Sequence, residues 1–388
     1  MPVKNRFAEL LPEITAWRRD FHEHPELQFD VHRTAARVAE LCRGFGCDEV
    51  VEGVGRTGVV AVIKGKTDSK GRVVGLRADM DALPIIEQTG LPYSSKTPGK
   101  MHACGHDGHT AMLLGAARYL AETRNFDGTV VCIFQPAEEG GGGGREMVAD
   151  GMMERWNVQE VYGMHNMPGI PVGHFAIRPG SLMAAADQFE ITVTGKGGHA
   201  AKPHECIDST VVAAHIVVAL QTIASRNVDP MKQVVVSVCT VETDSPAHNV
   251  IPQTVKMRGT VRTLDPKVQD FVETRLGQIV EGTALALGAR AEVAYTRGYP
   301  VTVNAPENTA YAVEVARAVS GQVDPDTPPL MGAEDFSFML NARPGAYIFL
   351  GNGDTASVHH PAYNFDDNAI PFGASWYAGM AEARMPAA

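Results

Sequence analysis

The stretch VVGLRADMD, residues 73–81, joins a buried strand to two carboxylates. Short apolar runs rich in β-branched residues predict strands that are covered on both faces. Comparable runs are TGVVAVI (57–63), TVVCIF (129–134), EVYGMH (160–165) and AYIFL (346–350). Segments of helical periodicity alternate with these runs. The sequence therefore predicts an α/β fold, with helices on both faces of a mostly parallel sheet.

A second pattern begins near Ala184. QFEITVTG (188–195) alternates polar and apolar residues, as a strand with one wet face does. A helical segment, the strands QVVVSVCTV and TVKMRGTVRT, a second helix and the strand AEVAYTR follow in that order. This β-α-β-β-α-β order is typical of a ferredoxin-like α+β domain. For a chain of 388 residues we predict two domains: residues 1–183 with 299–388, and an inserted domain of residues 184–298.

Composition excludes some classes of protein. A net charge of −11 argues against a nucleic-acid binder, which would show a basic face. The N-terminus has no signal-type apolar run, and we expect no membrane-spanning stretch. Six scattered cysteines without a CxxC pair predict a cytoplasmic chain with free thiols.

Residues that can bind metal cluster in HACGHDGH, residues 102–109. We expect Cys104 and His106 in a loop before a helix that spans about 109–121. Other candidates stand at strand ends, which meet at one edge of a parallel sheet. These are Asp79, Asp81, Glu138, Glu139 and His165.

Cysteine, histidine and carboxylate ligands together suit zinc, manganese, cobalt or nickel. A structural zinc site has four cysteine or histidine ligands, whereas several carboxylates indicate a catalytic site. Of the adjacent Glu138 and Glu139, one could bind metal while the other acts as general base. Taken alone, a histidine or a Glu-Glu pair is more often a surface feature. The glycines 140–144 let the backbone approach closely.

Seven motifs stand in the same order as in a known superfamily. They are HACGHDGH, QPAEEGGGG, GMHN, GKGGHAAKPH, NVIP, MGAEDF and HHPAYNFDD. From about Arg18 to Phe372, the chain resembles the metal-dependent aminoacylase and carboxypeptidase superfamily. It is most similar to the amidohydrolase branch of hippurate hydrolases, N-acyl-amino-acid deacetylases and auxin-conjugate hydrolases. The resemblance implies a catalytic α/β domain, an inserted lid or dimerisation domain and two divalent transition metal ions (Zn, Mn, Co or Ni).

The resemblance also implies roles for single residues. The implied metal ligands are Cys104, His106, Glu139, His165 and His359, with His360 as a rival to His359. Glu138 is the implied general base, and Asp81 orients a ligand. His199 stabilises the developing oxyanion, in cis or across a dimer, and Asn249 binds the substrate carboxylate or amide. Arg258 and Arg262 are weaker candidates for substrate binding, since either could be a solvated strand residue. His204 and Glu334 are pocket candidates without an assigned role.

The expected roles of Asp79 and of the remaining residues of HACGHDGH refine this ligand set. Other branches have a histidine ligand at the position of Asp79. The resemblance implies that Cys104 partly replaces this histidine as a metal ligand. We expect His102 and His109 to support the loop or helix, and Asp107 to contact a ligand rather than the metal.

The resemblance implies hydrolysis of small N-acyl-L-amino acids (benzoyl, acetyl or indoleacetyl) by a homodimer or homotetramer. The acyl group itself stays open. Alternatives are a metallo-dipeptidase or aminopeptidase of the same superfamily and an N-acetyl-diaminopimelate-type deacetylase. A metal-binding scaffold without activity is a further alternative, but such a protein has no use for a carboxylate that acts as a base beside the metal.

Overall fold

A computed structural model describes residues 4–387 of the chain. The chain divides into two compact units. The first unit runs through Leu182 and includes Val303–Pro328 and the residues from Asp335 onward. The second unit comprises Met183–Thr302 and Pro329–Glu334.

The helices among residues 4–387 follow in chain order. They are α1 (Asn5–Glu23), α2 (His32–Gly44), α3 (His106–Thr123), α4 (Gly143–Ala149), α5 (Met152–Arg155), α6 (Ser209–Thr222), α7 (Pro266–Ala286), α8 (Pro306–Ser320), α9 (Phe336–Ala342) and α10 (Ile370–Arg384).

The strands of the same residues are numbered likewise. They are β1 (Glu49–Val54), β2 (Gly58–Lys64), β3 (Val73–Asp79), β4 (Thr129–Gln135), β5 (Glu160–Met167), β6 (Phe175–Ala176), β7 (Gly180–Met183), β8 (Ala185–Thr194), β9 (Gly198–His199), β10 (Val234–Thr243), β11 (Val250–Ile251), β12 (Thr254–Thr263), β13 (Arg290–Tyr299), β14 (Thr302–Asn304), β15 (Val323–Asp324) and β16 (Gly345–Gly351).

The large sheet of the first unit has the order β1-β2-β4-β3-β5-β16-β6-β15. Its centre, β4-β3-β5-β16, is parallel, while β1, β2 and β6 pair antiparallel to their neighbours towards the centre. The predicted α/β class with a mostly parallel sheet is therefore confirmed.

Alternate residues of β3 face different layers. Val74, Leu76 and Ala78 are buried in the main hydrophobic core with residues of α1, α3 and α10. Arg77 points to the other side, where its guanidinium lies 5.6 Å from the centre of the Phe336 ring at the start of α9. This alternation, which any strand imposes, directs Asp79 to the same side as Arg77 at the carboxyl end of the strand.

The second unit has a four-stranded antiparallel sheet of order β10-β12-β8-β13. With α6 and α7 it follows the β-α-β-β-α-β order, and its core includes Ile191, Val193 and Val272. The predicted division placed Met183, residues 299–302 and Pro329–Glu334 in the first domain, whereas the structure has them in the second unit. The backbone N–H of Ala184 bonds to the carbonyls of Leu330 (3.1 Å) and Gly332 (2.8 Å) and holds the last of these segments in the second unit.

One helical stretch, Ser209–Asn227, is long and apolar enough to cross a membrane by length and composition, and 33% of its window is buried. The expectation that no stretch meets this test was therefore wrong. Its side chains at Val212, Ile216 and Leu220 pack in the core of the second unit. One helix of this length and composition is weak evidence for a membrane span, because core helices can pass the same test.

Candidate metal centre

Helix α3 begins earlier than the sequence predicted, at His106 instead of about residue 109. His106 therefore lies in the first turn of a helix, which corrects its expected place in a loop. Gly105 precedes it with φ +86°, and a Cβ there would lie 2.3 Å from both Asn166 Nδ2 and Tyr363 Oη. Only glycine fits this left-handed, crowded position. It turns the chain so that Cys104 and His106 can reach the same space.

Both ring nitrogens of His109 are used by the protein. Its Nε2 accepts from the backbone N–H of Asn166 (2.9 Å), so the proton of the ring is on Nδ1, which donates to Asp79 Oδ1 (2.6 Å). A histidine bound in this way has no nitrogen left for a metal. The expectation that His109 supports the structure agrees with these contacts.

Asp79 is a buried carboxylate with strong partners. Burial raises its pKa, but the neighbouring His106 and Arg77 lower it well below the usual range. Arg77 Nη1 lies 2.7 Å from Asp79 Oδ2. Asp79 thus binds Arg77 and His109, at the position where other branches of the superfamily have a histidine ligand.

His165 is oriented as a metal-binding imidazole. Its Nδ1–H donates to the backbone carbonyl of Asn166 (2.6 Å), so Nε2 carries the lone pair, 3.3 Å from Cys104 Sγ. Burial, followed by the nearby His109, lowers the pKa of His165 to about 3. The neutral ring that results is the form that binds metals.

The turn that carries Glu138 and Glu139 is held by Asp81. The carboxylate of Asp81 accepts from the N–H of Glu138 (2.9 Å) and from the N–H of Glu139 (3.1 Å). Its Oδ1 also lies 3.5 Å from His106 Nδ1. Asp81 therefore contacts three adjoining parts of the centre, and its predicted role is one of positioning.

His359, rather than His360, lies beside the other candidates. Its Nε2 is 3.2 Å from Glu139 Oε1, and its backbone N–H donates to the carbonyl of Ala103 (2.7 Å). His360 Nδ1 instead accepts from the N–H of Ala362 (3.0 Å). Hydrogen bonding to Cys104 and Glu139 raises the pKa of His359 to about 10.

The five predicted ligands form one cluster through overlapping triplets, in each of which the ligand atoms lie within 4.8 Å of one another. The triplets are Cys104–His106–His165, Cys104–Glu139–His359 and His106–Glu138–Glu139. Both ring nitrogens of the buried His106 lack a hydrogen-bond partner within the described part of the chain. A buried imidazole in this state, beside a thiol and a carboxylate, fits a divalent transition metal.

His102 and Asp107 lie on the α1 side of this cluster. Asp107 Oδ2 contacts His22 Nδ1 (2.8 Å) and Arg18 Nη1 (3.3 Å). His102 is buried, and burial lowers the pKa of its ring to about 3. The contacts of Asp107 differ from the expectation that it touches a metal ligand, because the carboxylate turns towards α1.

The other predicted site residues lie in the second unit. His199 pairs with Val250 between β9 and β11, and its Nδ1 accepts from the N–H of Ala201 (3.1 Å). Asn249 accepts at its carbonyl from the N–H of Ala200 (3.0 Å). Arg258 is exposed and bonds to Glu190 (3.0 Å). Their roles towards substrate stay predictions, as do those of Arg262, His204 and Glu334.

Sequence reasoning missed two residues that organise the centre. Asn166 donates from Nδ2 to the Cys104 carbonyl (2.6 Å) and accepts at Oδ1 from Tyr363 (2.8 Å). Arg77 bonds to Gln135 Oε1 (2.9 Å) and lies 3.0 Å from Asp335. Arg77 could have been found from the sequence, because it is a single arginine within an otherwise apolar strand and a buried charge requires partners.

Comparison with known proteins places this centre in a family. The model of peptidase family M20/M25/M40 matches residues 75–383. The chain belongs to this family. It is 42% identical to hippurate hydrolase of Campylobacter jejuni over 376 residues, which cover 96% of this chain and 97% of that protein. It is 39% identical over 366 residues to N-acetylcysteine deacetylase of Bacillus subtilis, covering 94% of each.

A solved structure extends the comparison. A Bacillus subtilis protein described as a dinuclear metal-binding peptidase from the M20 family is 35% identical, with a TM-score of 0.85, and the match covers 98% of this chain and 100% of that one. The predicted superfamily is confirmed, and this M20 chain is a hydrolase that acts on amides. Family membership and the clustered ligand atoms together support the binding of divalent metals.

Proposed function

We propose that this M20 enzyme hydrolyses N-acyl-L-amino acids to a carboxylic acid and a free amino acid, with Glu138 as general base. The observation that carries the proposal is the arrangement of Glu138, Glu139 and His106. Their ligand atoms lie within 4.8 Å of one another, while Asp81 holds both glutamate N–H groups. A hydrolytic centre needs this pairing of a metal-binding carboxylate and a base.

The residues that would hold two divalent transition metal ions are Cys104, His106, Glu139, His165 and His359. When bound, these ions polarise the scissile carbonyl and lower the pKa of the attacking water. The set combines a thiol, imidazoles and a carboxylate, which favours zinc, manganese, cobalt or nickel over calcium and magnesium.

Glu138 acts twice in the proposed reaction. It first takes a proton from the attacking water while the new C–O bond forms at the acyl carbon. It then gives this proton to the amide nitrogen as the C–N bond breaks, so that the amino acid leaves as a neutral amine. We assign stabilisation of the developing oxyanion to His199 and recognition of the amino-acid part to Asn249 and Arg258.

The relatives support an acyl amino acid as substrate, since they include a hippurate hydrolase and deacetylases of N-acetylcysteine and N-acetyldiaminopimelate. The contacts of Asp79 count against the dipeptidase alternative. The carboxylate there is bound to Arg77 and His109, whereas the metal-ligand set of other branches has a histidine at this position.

A substrate screen tests the proposed function. The purified protein is loaded separately with Zn²⁺, Mn²⁺, Co²⁺ or Ni²⁺ and incubated with N-benzoyl, N-acetyl and indoleacetyl amino acids, with short dipeptides as controls. We expect release of free amino acid from the N-acyl substrates and loss of this activity after chelation. Hydrolysis of dipeptides alone would instead support the dipeptidase. The dimer or tetramer and the cytoplasmic location stay predictions.

A further inference from the structure

A cavity of about 410 Å³ opens beside Glu139 within the first unit. Its apolar walls come from two segments, and Glu139 also lines it. The apolar wall residues are Leu27, Phe29, Ala82, Leu83 and Pro84. Ala82 directly follows Asp81, so one wall continues from the residue that positions Glu138 and Glu139.

The two wall segments are joined to each other by backbone contacts. Leu27 and Ala82 form a parallel β-bridge, and the N–H of Ala82 donates to the carbonyl of Glu26 (2.8 Å). Leu83 exchanges two backbone hydrogen bonds with Met101 (2.9 and 3.0 Å). Because these bonds involve the main chain, side chains in the walls can change without removing them.

The ring of Phe29 is also fixed in place. The Arg56 guanidinium lies 4.2 Å from the centre of the ring. The Thr57 hydroxyl donates to the backbone carbonyl of Phe29 (2.9 Å). A Cβ at Gly141 would lie 3.1 Å from the ring and 2.6 Å from Ala137 Cβ. The glycine run after Glu139 thus lets the ring pack closely against the turn that carries the two glutamates.

Position, size and charge all restrict the occupant. The acyl substituent is bonded directly to the carbon that water attacks, so it must lie next to the metal ligands. The cavity has room for on the order of ten waters, and an acetyl methyl would leave most of it filled with water. The carboxylate of Asp30 at its lining disfavours an anionic substituent.

We infer that this cavity is the acyl-binding pocket and selects uncharged, aromatic acyl groups of benzoyl size over acetyl, with Leu27 and Phe29 as specificity-determining residues. The inference rests on the proposed function, because it assigns a substrate class to the same site. The glycine run and the Ala82–Pro84 segment acquire a role that metal binding alone does not require.

The test compares kcat/KM for N-benzoylglycine and N-acetylglycine in the metal-loaded enzyme. Leu27→Phe and Leu27→Trp fill the cavity in two steps. Ile86→Trp is the matched control, since Ile86 lies in the same loop as Ala82 but is 71% exposed. One methylene in an apolar pocket changes kcat/KM about 10–200-fold, so we expect wild type to favour the benzoyl substrate by at least about 100-fold.

We expect Leu27→Phe to reduce this benzoyl-to-acetyl ratio and Leu27→Trp to reduce it by at least tenfold. In both, the kcat/KM for N-acetylglycine should fall less than that for N-benzoylglycine, and Ile86→Trp should leave the ratio unchanged. The pocket assignment is overturned if wild type has the same kcat/KM for N-acetylglycine as for N-benzoylglycine, or if the ratio is unchanged in both Leu27 variants. Either result leaves the proposed function standing. A wild type that cleaves neither substrate class refutes both.

Discussion

Replacing Arg77 by methionine should destabilise the first unit strongly. The guanidinium is fully buried and lies 2.7 Å from Asp79, 3.0 Å from Asp335 and 2.9 Å from Gln135. Methionine removes the cation and leaves the buried carboxylates of Asp79 and Asp335 without this counter-charge. Breaking a buried ion pair by removing one partner costs about 3–5 kcal/mol. That loss is a large fraction of a typical total stability of about 5–15 kcal/mol.

Urea unfolding of the metal-free protein measures this loss without a contribution from metal binding. All three tryptophans, Trp17, Trp156 and Trp376, lie in the first unit, so their fluorescence reports the unfolding of that unit. Arg37→Met is the control, because Arg37 forms an exposed ion pair with Glu40 of a kind that contributes about 0–1 kcal/mol. The reasoning is refuted if Arg77→Met lowers the free energy of unfolding no more than Arg37→Met does.

Asp81→Asn should lower kcat at least about tenfold with a smaller change in KM, because an amide cannot accept from the N–H groups of both Glu138 and Glu139. A raised KM at unchanged kcat would contradict this prediction. Gly105→Ala should lower the free energy of unfolding by about 2–5 kcal/mol, because of left-handed strain and overlap. Gly90 has φ +67° but stands in open space, so Gly90→Ala should lower it less in the same urea titration. Burial lowers the pKa of His22, but the charge and hydrogen bond of Asp107 raise it to about 9. The stability from this raised pKa is present below pH 6.5 and is lost as the pH rises through 9. Between pH 7 and pH 10, wild type should therefore lose about 2–3 kcal/mol more than His22→Gln, and equal losses would refute this.

The sequence predicted the central strands because burial on both faces leaves a local mark in the chain. β2, β3, β4, β5 and β16 are apolar runs, and the structure has strands at all of them. β1 was missed because this edge strand is largely exposed, and Glu49, Glu52 and Gly53 interrupt its valines, so it does not form a continuous apolar run.

The ligand atoms were predicted from motifs, but the contacts between them could not be. His109 binds Asp79 and Asn166, which lie 30 and 57 residues away in sequence. No local pattern indicates such pairs. The start of α3 was misplaced for a similar reason, since Asn166 and Tyr363, which leave no room for a Cβ at Gly105, lie far from it in sequence.

The cavity beside Glu139 also had no signal in the sequence. It exists because the segment around Leu27 forms a bridge with Ala82, and neither segment has the periodicity of a strand. The glycine run was visible, but its contact with Phe29 depends on packing between residues that are more than a hundred positions apart.

The central claim is that Glu138 is the base of a metal-dependent amidohydrolase. The direct measurement is the rate at which the Glu138→Gln variant hydrolyses the best N-acyl amino acid from the substrate screen. Bound metal and urea unfolding are determined on the same sample. The account predicts metal content and stability close to those of wild type and a loss of kcat of at least about 10²–10⁴-fold. A Glu138→Gln protein that binds metal and hydrolyses the substrate at near the wild-type rate would contradict it.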